Sequence, residues 1–344
     1  MADPVEYLRR IPKVELHCHL EGSVRAETAV ELARRHSVTL PTYEPSELYD
    51  FDGIVEFLVA YVAVSRSIID REDFARVTYE SLEDQVRLGN LRYREMFFNP
   101  TNHYADGVSY DTCVDGVIDG IRAAETDLGV RCNLIVAINK SEPPADAVAL
   151  VEQVIASPRD EIIGIGQDHL TPDNLETPQL FAEAYELAKR NGLNITAHAG
   201  EIDASTSADV AAALDLGCLR VDHGYHILDD EAVVARARDA GVVFTGCLHS
   251  SALLYGWDDF TAHPIRTMIA EGLRMTFNTD DPTMLNTDLG KEYAEGCPKM
   301  GLTNEQAEEI ALTGVDASWL PDDEKAEMRE EFLREMAELR SALL

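Results

Sequence analysis

The segment "VELHCHLEG", Val14–Gly22, places two histidines one residue apart within a run of strand-forming residues. Side chains alternate between the two faces of a β-strand, so His17 and His19 point the same way, together with Glu15. The opposite face is apolar and can pack against helices. Neutral imidazole is a preferred zinc ligand, and two imidazoles from one strand end supply half of a site. This pattern alone leaves two interpretations open: a metal site, or a pair of core histidines that bond to backbone carbonyls.

Similar β-rich runs recur along the 344-residue chain and alternate with helix-like segments. The eight predicted strands begin at Lys13, Leu91, Arg131, Glu161, Asn194, Leu219, Val242 and Arg274. Alternation of this kind, repeated eight times, favours an α/β fold, a parallel (β/α)8 barrel of the TIM type. A doubly wound open sheet is the alternative, but no G-x-G-x-x-G follows an early strand. Because no linker or low-complexity segment interrupts the chain, we predict one barrel domain over residues 1–344, with helices at its C-terminal end.

The segment 23–90 separates the first two predicted strands and is mostly helix-like. Within it, Phe57, Leu58 and Tyr61 follow the spacing of one apolar helical face. An insertion after the first strand lies at the carboxyl rim, where barrels of this type keep their active sites. We therefore expect a helical insertion whose apolar face either caps the barrel core or forms a lid over a substrate.

Charge and composition restrict the classes of partner. The net charge of −34 argues against nucleic acid and anionic membranes, since phosphates would be repelled. The apolar run Phe57–Val64 is too short to cross a bilayer, and the first residues lack the apolar core of a signal peptide. The six cysteines form no C-x-x-C pair, which fits a reduced compartment. We expect a cytoplasmic protein that acts on a small molecule; the oligomeric state and the reason for the acidic surface, solubility or salt tolerance, stay open.

Titratable residues gather where the predicted strands end. Six of the 10 histidines fall at this rim: His17, His19, His169, His198, His223 and His249. A structural need for histidine would not select one end of the barrel, so the clustering favours metal binding. His17, His19 and His198 with Asp280 form a ligand set of three imidazoles and one carboxylate that leaves a position for water, as in catalytic zinc sites.

Three further residues are candidates for the chemistry around the metal. Glu201 lies three residues after His198 and can face the substrate as a proton donor without being a ligand. His223, in "DHGYH", is placed to hold the attacking water, and Asp281 to accept a hydrogen bond from the substrate. The adjacent aspartates in "NTDDP" have a second interpretation as a turn or a helix cap.

Familiar zinc signatures do not match this spacing. The chain has no H-E-x-x-H motif. His19 and Glu21 satisfy H-x-E, but no P-C-x-x-C follows, so the cytidine-deaminase signature is incomplete. Two-metal barrel hydrolases often use a carboxylated lysine on the fourth strand, and the fourth predicted strand contains no lysine. One metal ion is therefore favoured.

Four segments, "PKVELHCHLEGS", "ITAHAGE", "DHGYH" and "FNTDDP", resemble in this order the signature segments of the adenosine/adenine deaminase family. These enzymes are (β/α)8 barrels of the amidohydrolase superfamily, and the similarity extends over essentially the whole chain. The resemblance implies one Zn2+ per subunit on the four predicted ligands and water as co-substrate. It also implies that Glu201 protonates the purine ring nitrogen next to C6, that His223 orients and helps to deprotonate the water that attacks C6, and that Asp281 hydrogen-bonds the imidazole side of the purine. Loss of ammonia then gives the 6-oxo product.

The motifs divide between two branches of the family, which differ in the group that N9 of the purine carries. Adenosine deaminases typically carry H-L-D-G where this chain has H-L-E-G, and that acid lies near the ribose 5′ side, so His19 and Glu21 are candidates for substrate binding. "GIGQD" and "FFNPTNH" are closer to the adenine-deaminase branch, whereas "SSALLYGW" and "SWLPDDEK" are closer to the nucleoside branch. We expect adenosine or a 5′-modified adenosine as substrate, with adenine and aminodeoxyfutalosine as alternatives. A catalytically silent purine-binding relative would be expected to lose Glu201 or a ligand, and none is lost.

Overall fold

Parallel strands form the centre of the protein in the computed structural model, which describes residues 3–344. Hydrogen bonds connect them in the orders β1-β2-β3-β4-β5 and β6-β7-β8-β9. Their bounds are β1 Lys13–Glu15, β2 Leu91–Phe98, β3 Arg131–Asn139, β4 Ile162–Asp168, β5 Asn194–Ile195, β6 Ala197–Ala199, β7 Arg220–His223, β8 Val243–Gly246 and β9 Arg274–Phe277.

The two sheets close into one barrel. β5 and β6 are parts of a single strand interrupted at Thr196, whose N–H donates to the Ile165 carbonyl at 3.1 Å. On the other side, a parallel bridge between Cys18 and Asp280 joins the chain after β1 to the chain after β9. Counting β5 and β6 as one strand leaves eight parallel strands, so the predicted barrel is confirmed. β1 ends at Glu15, and the two histidines of the opening segment therefore follow the regular strand.

Helices surround the barrel. Their bounds are α1 Pro4–Arg10, α2 Ala26–His36, α3 Pro45–Leu48, α4 Ile54–Ser65, α5 Arg71–Gly89, α6 Thr101–Tyr104, α7 Tyr110–Leu128, α8 Pro144–Ala156, α9 Ala182–Arg190, α10 Ser207–Leu216, α11 Glu231–Asp239, α12 Leu248–Tyr255, α13 Pro264–Ala270, α14 Leu289–Lys299, α15 Asn304–Ala317 and α16 Asp322–Leu343. Short 3₁₀ helices span Glu21–Ser23, Pro178–Phe181 and Tyr225–Asp229. Helices α15 and α16 confirm the predicted C-terminal helices, and α1 packs against α14 and α16, so the two ends of the described chain meet.

The segment 23–90 divides by its packing into two parts. Helix α5 packs against α7 and β2 and so belongs to the ring of barrel helices. Helix α4 lies instead at the rim, where its Phe57 and Tyr61 are buried while Val55 and Val59 on its other side are exposed. The rim-covering part of this segment is therefore the stretch that precedes α5.

The barrel interior is filled near its amino end. Phe97, Ile135 and Ala137 form an apolar cluster inside the strands, and Trp319 packs against it. A Cβ on Gly164 would lie 2.3 Å from the Trp319 ring, so only glycine leaves room for this indole. The guanidinium of Arg220, the first residue of β7, stacks 3.7 Å from the same ring. Because this end is closed by side chains, the open end is the carboxyl rim.

The cysteines and the hydropathy of the helices can be compared with the sequence. All six cysteines are free and buried, so they act as small apolar side chains. Among residues 3–344, no helix combines the length and the hydropathy that a bilayer crossing requires.

Candidate active site

The side chains predicted as metal ligands converge at the carboxyl rim. His17 Nε2 lies 3.0 Å from Asp280 Oδ1, and His19 Nε2 lies 3.3 Å from both Asp280 Oδ1 and His198 Nε2. His17, His198, His223 and Asp280 each offer one ligand atom within 4.8 Å of the others. Four buried histidines and one buried aspartate therefore surround a possible metal position, and both His19 and His223 are close enough to contribute a ligand atom.

This group fits a divalent metal ion. His17 Nε2 and His223 Nε2 are buried without a hydrogen-bond partner, although an unpaired buried polar atom is costly. Imidazole nitrogen and carboxylate oxygen are the donors that zinc and similar ions prefer. Burial alone would lower the pKa of His19, but the hydrogen bond to Asp280 and the charges of Asp281, Asp280 and Asp168 together raise it to about 10. The pair therefore holds a proton that a bound cation would displace.

Asp222 orients the imidazoles from behind. Its carboxylate lies 3.3 Å from His198 Nδ1 and 3.7 Å from His17 Nδ1, and it accepts hydrogen bonds from the hydroxyls of Thr245 (3.0 Å) and Thr196 (2.9 Å). Burial alone would raise the pKa of Asp222, but the neighbouring imidazoles hold it below its ordinary value. A carboxylate on Nδ1 favours the tautomer whose Nε2 is free for a metal. No motif in the sequence points to this role for Asp222, although a carboxylate inside a predicted strand needs a buried partner.

Left-handed backbone conformations mark several residues of the site. His223 and Asp280 both have φ 64°, and His169 has φ 55°. Such conformations are strained in residues other than glycine and persist only where the surroundings hold them. The Ser250 hydroxyl helps to fix Asp280 in this conformation by donating to its Oδ2 at 2.6 Å. The bend at each position turns the side chain into the barrel mouth.

Phe97 forms the floor beneath the imidazoles. Its ring centroid lies 4.9 Å from that of His19, 5.1 Å from that of His17 and 5.4 Å from that of His198. An apolar floor lowers the local dielectric and so strengthens the electrostatic interactions above it. The strand period places this residue inside the barrel, but the sequence could not show that it underlies the histidines.

A cavity of about 310 Å³ opens above the metal group, at the lower end of the range for small-molecule sites. The apolar side of α4 covers it, with Phe57 and Tyr61 on the wall, and the loop after β4 closes a second side. Helix α4 covers this cavity, which is the position that the lid interpretation of the insertion requires. The wall consists of His19, Ile54, Phe57, Leu58, Tyr61, Ser141, Asp168, His169, Leu170, Thr171, Pro172, Asn174, His198, Glu201, His223, Leu254, Tyr255, Asp280 and Asp281.

Burial and the neighbouring charge of Asp280 raise the pKa of both Glu201 and Asp281. Glu201 Oε1 lies 3.4 Å from His223 Nε2, and burial together with the Asp280 carboxylate raises the pKa of Glu201 well above its ordinary value. The same two causes raise the pKa of Asp281. A carboxyl that stays protonated at neutral pH can donate a proton or a hydrogen bond to a ligand.

Gly22 is required by the position of Asp281. A Cβ on Gly22 would lie 1.8 Å from Asp281 Oδ1. The last residue of "HLEG" therefore makes room for a carboxyl from the neighbouring strand end, after β9. The Asp281 Oδ1 atom itself is buried without a protein partner, which leaves it free to hydrogen-bond a ligand.

Glu21 lies off the cavity wall, and Asp168 lies on it. Glu21 is buried; its Oε1 accepts the Asn99 N–H at 3.2 Å and lies 3.7 Å from His103 Nε2. Both oxygens of Asp168 accept from Asn99 Nδ2, at 2.7 and 2.9 Å. The structure therefore brings His19, Glu201 and the other predicted residues together but sets Glu21 behind Asn99. His249 also lies off the wall, where its Nδ1 bonds to Glu292 at 2.7 Å.

The barrel and its buried imidazole–carboxylate group define a hydrolase of the amidohydrolase type. The family model described as Adenosine deaminase matches residues 12–335. The chain belongs to this family, as its four motifs predicted.

Relatives match over nearly their whole length. An adenine deaminase of Rhodospirillum rubrum is 33% identical over 335 residues, which cover 95% of this chain and 98% of that one. The structure of an adenine deaminase from Arthrobacter aurescens has a TM-score of 0.87 at 30% identity and covers 94% of this chain and 98% of that chain. A Burkholderia ambifaria amidohydrolase solved with bound Zn has a TM-score of 0.91 at 35% identity and covers 98% and 94% of the two chains.

Proposed function

We propose that this protein hydrolyses the 6-amino group of adenine, with water as co-substrate, and releases the 6-oxo purine and ammonia. The observation that carries the proposal is the position of Glu201 beside the imidazole–carboxylate group on the wall of one small cavity, with Glu201 Oε1 3.4 Å from His223 Nε2. Hydrolytic deamination needs a proton donor for the ring and an activated water on the same carbon. The family membership supports the same reaction class.

The metal in this proposal is zinc, held by His17, His19, His198 and Asp280. A bound zinc ion supplies Lewis acidity that brings the pKa of a water molecule towards neutrality. The donor set supports this assignment, as does the Zn in the Burkholderia ambifaria relative. Asp222 keeps the imidazole nitrogens facing the ion unprotonated.

The other polar residues of the site bind the purine and orient the attacking water. Glu201 donates its proton to the purine nitrogen next to C6, which makes C6 more electrophilic. His223, 3.4 Å from Glu201, holds the attacking water and receives its proton. Asp281 hydrogen-bonds the imidazole side of the purine. Helix α4 and the loop after β4 exclude bulk water, so the proton on Glu201 reaches the substrate.

Three observations favour adenine over the nucleoside expected from the sequence. Several relatives that cover more than nine-tenths of this chain are adenine deaminases. The carboxylate assigned to the ribose side, Glu21, lies behind Asn99. The α4 part of the wall is apolar at Ile54, Phe57 and Leu58, so it offers few partners for the hydroxyls of a sugar.

Asp168 supports the same choice. It places a hydrogen-bond acceptor on the wall, fixed by Asn99. Free adenine carries an N–H on its imidazole ring, whereas in adenosine the corresponding nitrogen bears the sugar. We assign this N–H to Asp168. A site built to accept that hydrogen bond discriminates strongly against a ligand that lacks it.

The test is kcat/KM, measured side by side for adenine, 9-methyladenine, adenosine, 5′-methylthioadenosine and aminodeoxyfutalosine with zinc-loaded protein. Adenine is expected to exceed adenosine by about 10³- to 10⁵-fold. A chelator is expected to abolish turnover, and Zn2+ to restore it, with elemental analysis giving one ion per chain. A nucleoside that exceeds adenine would refute the substrate assignment. No change in absorbance with any aminopurine would refute deamination.

A further inference from the structure

Glu176 is a buried carboxylate beneath the turn that carries Glu201. Its Oε2 accepts the backbone N–H of Glu201 at 3.1 Å, the backbone N–H of Gly200 and the hydroxyl of Ser205. All three donors lie on the turn that follows β6. One oxygen atom therefore fixes this turn at three points, and hydrogen bonds to a carboxylate are the stronger kind.

The same loop that ends in Glu176 also forms part of the cavity wall. Leu170, Thr171 and Pro172 contact the cavity. Thr171 then closes the loop on itself: its N–H donates to the Leu175 carbonyl and its hydroxyl oxygen accepts the Leu175 N–H, each at 3.0 Å. The loop is thus an ordered unit that contacts the cavity on one side and the Glu201 turn on the other.

The turn after β6 has little room for displacement. Gly200 has φ 79°, and a Cβ there would lie 2.7 Å from Val210. Proton transfer needs a donor within about 3 Å of its acceptor, and an error of about 1 Å in placement can cost about 10²-fold in rate. A turn without a ladder of hydrogen bonds depends on side chains such as Glu176 for that accuracy.

A buried lysine shares the surroundings of this carboxylate. Lys140, just beyond β3, is buried, and its backbone N–H donates to the Asp168 carbonyl at 3.1 Å. Burial lowers the pKa of Lys140, and the charge of Glu176 is the strongest influence in the opposite direction. Glu176 therefore interacts with a basic group in the interior, and it does not line the cavity.

We propose that Glu176 is a positioning residue that holds Glu201 at the distance and angle needed for proton donation and fixes the cavity loop to the same turn. The inference rests on the proposed function, because it assumes that Glu201 is the proton donor. Glu176 touches the backbone of Glu201 and acts through it.

Two substitutions separate the hydrogen-bond acceptor from the volume it fills. Glu176→Leu keeps the approximate size but removes the acceptor, and kcat is expected to fall about 10²-fold while KM and zinc content change little. Glu176→Gln retains one acceptor oxygen and should recover much of this loss. Ser205→Ala removes one of the three donors and should have a smaller effect than Glu176→Leu. The exposed Glu183 offers a control, since Glu183→Gln removes a nearby charge without a contact to the turn.

A double-mutant cycle with Glu201→Gln tests whether the two residues act as a unit. If Glu176 acts through Glu201, Glu176→Leu should add little to the loss caused by Glu201→Gln. Additive losses would refute the positioning role. A lower Tm with unchanged kcat per zinc-loaded chain in Glu176→Leu would also refute it.

Hydrogen–deuterium exchange gives a readout that does not depend on activity. The peptide covering residues 198–206 should exchange faster in Glu176→Leu and at the wild-type rate in Glu183→Gln. Unchanged exchange in Glu176→Leu would overturn the proposed anchoring even if no deaminated substrate had been found. Failure of the wild-type protein to deaminate any aminopurine, with faster exchange in Glu176→Leu, would instead refute the proposed function alone.

Discussion

At the scale of single residues, the charge of the neighbouring groups decides in which direction the pKa of a buried carboxyl shifts. Asp222 and Asp281 are both buried aspartates of the carboxyl rim, yet the pKa of Asp222 is lowered and that of Asp281 is raised. Asp222 faces imidazoles, whereas Asp281 faces the negative charge of Asp280. The pKa of Glu201 is also raised, because Glu201 too is buried beside the charge of Asp280. The site thus contains one carboxylate, Asp222, that orients the imidazoles. It also contains two carboxyls, Glu201 and Asp281, whose raised pKa favours the form that can donate a proton or a hydrogen bond.

Glu201→Gln tests the proton donor. The amide keeps the size and the hydrogen bonding of the carboxyl but cannot deliver a proton, so kcat should fall by at least about 10²-fold, with zinc content unchanged by elemental analysis. Asp203→Asn, at an exposed position of the same turn, is the control and should keep wild-type turnover. Near-normal turnover in Glu201→Gln would remove this residue from the mechanism.

Asp168→Asn tests recognition of the free base. The substitution replaces one acceptor oxygen on the cavity wall by a donor, and kcat/KM for adenine should fall by about 10- to 10²-fold, the effect of losing one buried hydrogen bond to a charged group. 9-Methyladenine lacks the N–H in question, so its low kcat/KM should change little. Asp160→Asn, exposed near the opposite end of β4, is the control. An equal loss for both compounds would show that Asp168 acts on something other than the imidazole N–H.

At the scale of the element, α13 shows how a helix cap becomes sensitive to acid. His263 precedes the helix; its Nδ1 accepts the Ile265 N–H at 3.2 Å, while its Nε2 bonds to the Ser251 hydroxyl at 2.8 Å. Accepting at Nδ1 requires the neutral ring. Burial, with no contribution from charged groups, lowers the pKa of His263 to about 3, and the rings of Tyr225, Trp257 and Phe260 pack around it.

This cap makes stability fall in acid. Because the pKa of His263 is lower in the folded state than its ordinary 6.5, the unfolded chain binds more protons below pH 6.5, and the free energy of unfolding decreases as pH falls towards 3. Between pH 7.5 and 5 the loss is about 2 kcal/mol. His263→Asn keeps a capping acceptor without a titrating ring and should lose less stability between pH 7.5 and 5 in urea titrations. Equal pH dependence in the two proteins would contradict this account.

At the scale of the whole molecule, the net charge of −34 opposes compactness through repulsion between like charges. The acidic residues extend to α16, whose first turn holds Asp322, Asp323 and Glu324. Salt at about 1 M reduces the Debye length to about 3 Å. Raising NaCl from about 0.05 M to about 1 M should therefore raise Tm. Sulfate is unsuitable for this test because it also strengthens apolar burial. A fall in Tm would mean that surface ion pairs outweigh the repulsion.

The sequence by itself determined the barrel and most of the residues at its mouth. Strands and helices have local periods, so alternation could be read segment by segment, and every predicted strand lies at or within one residue of its observed start. His17 and His19 also converge on one site, as predicted, although both follow the regular part of β1. Parallel strands of a barrel must end at one rim, which is why residues as distant as His19 and Asp280 could be expected to meet, and they lie 3.3 Å apart.

Only the tertiary structure decided which side chains contact and orient these residues. Asp222 could be recognised as the orienting carboxylate, and Phe97 as the floor, only once the barrel had closed around them. Asp168, at the end of β4, lies on the cavity wall, where both of its oxygens accept from Asn99, whereas Glu21 accepts the Asn99 N–H and does not line the cavity. Loops follow no period, and their contacts join residues far apart in the chain, as Glu176 joins the turn at Glu201. Local patterns place a side chain on a face, but only the closed, packed chain fixes its neighbours and, through them, its charge.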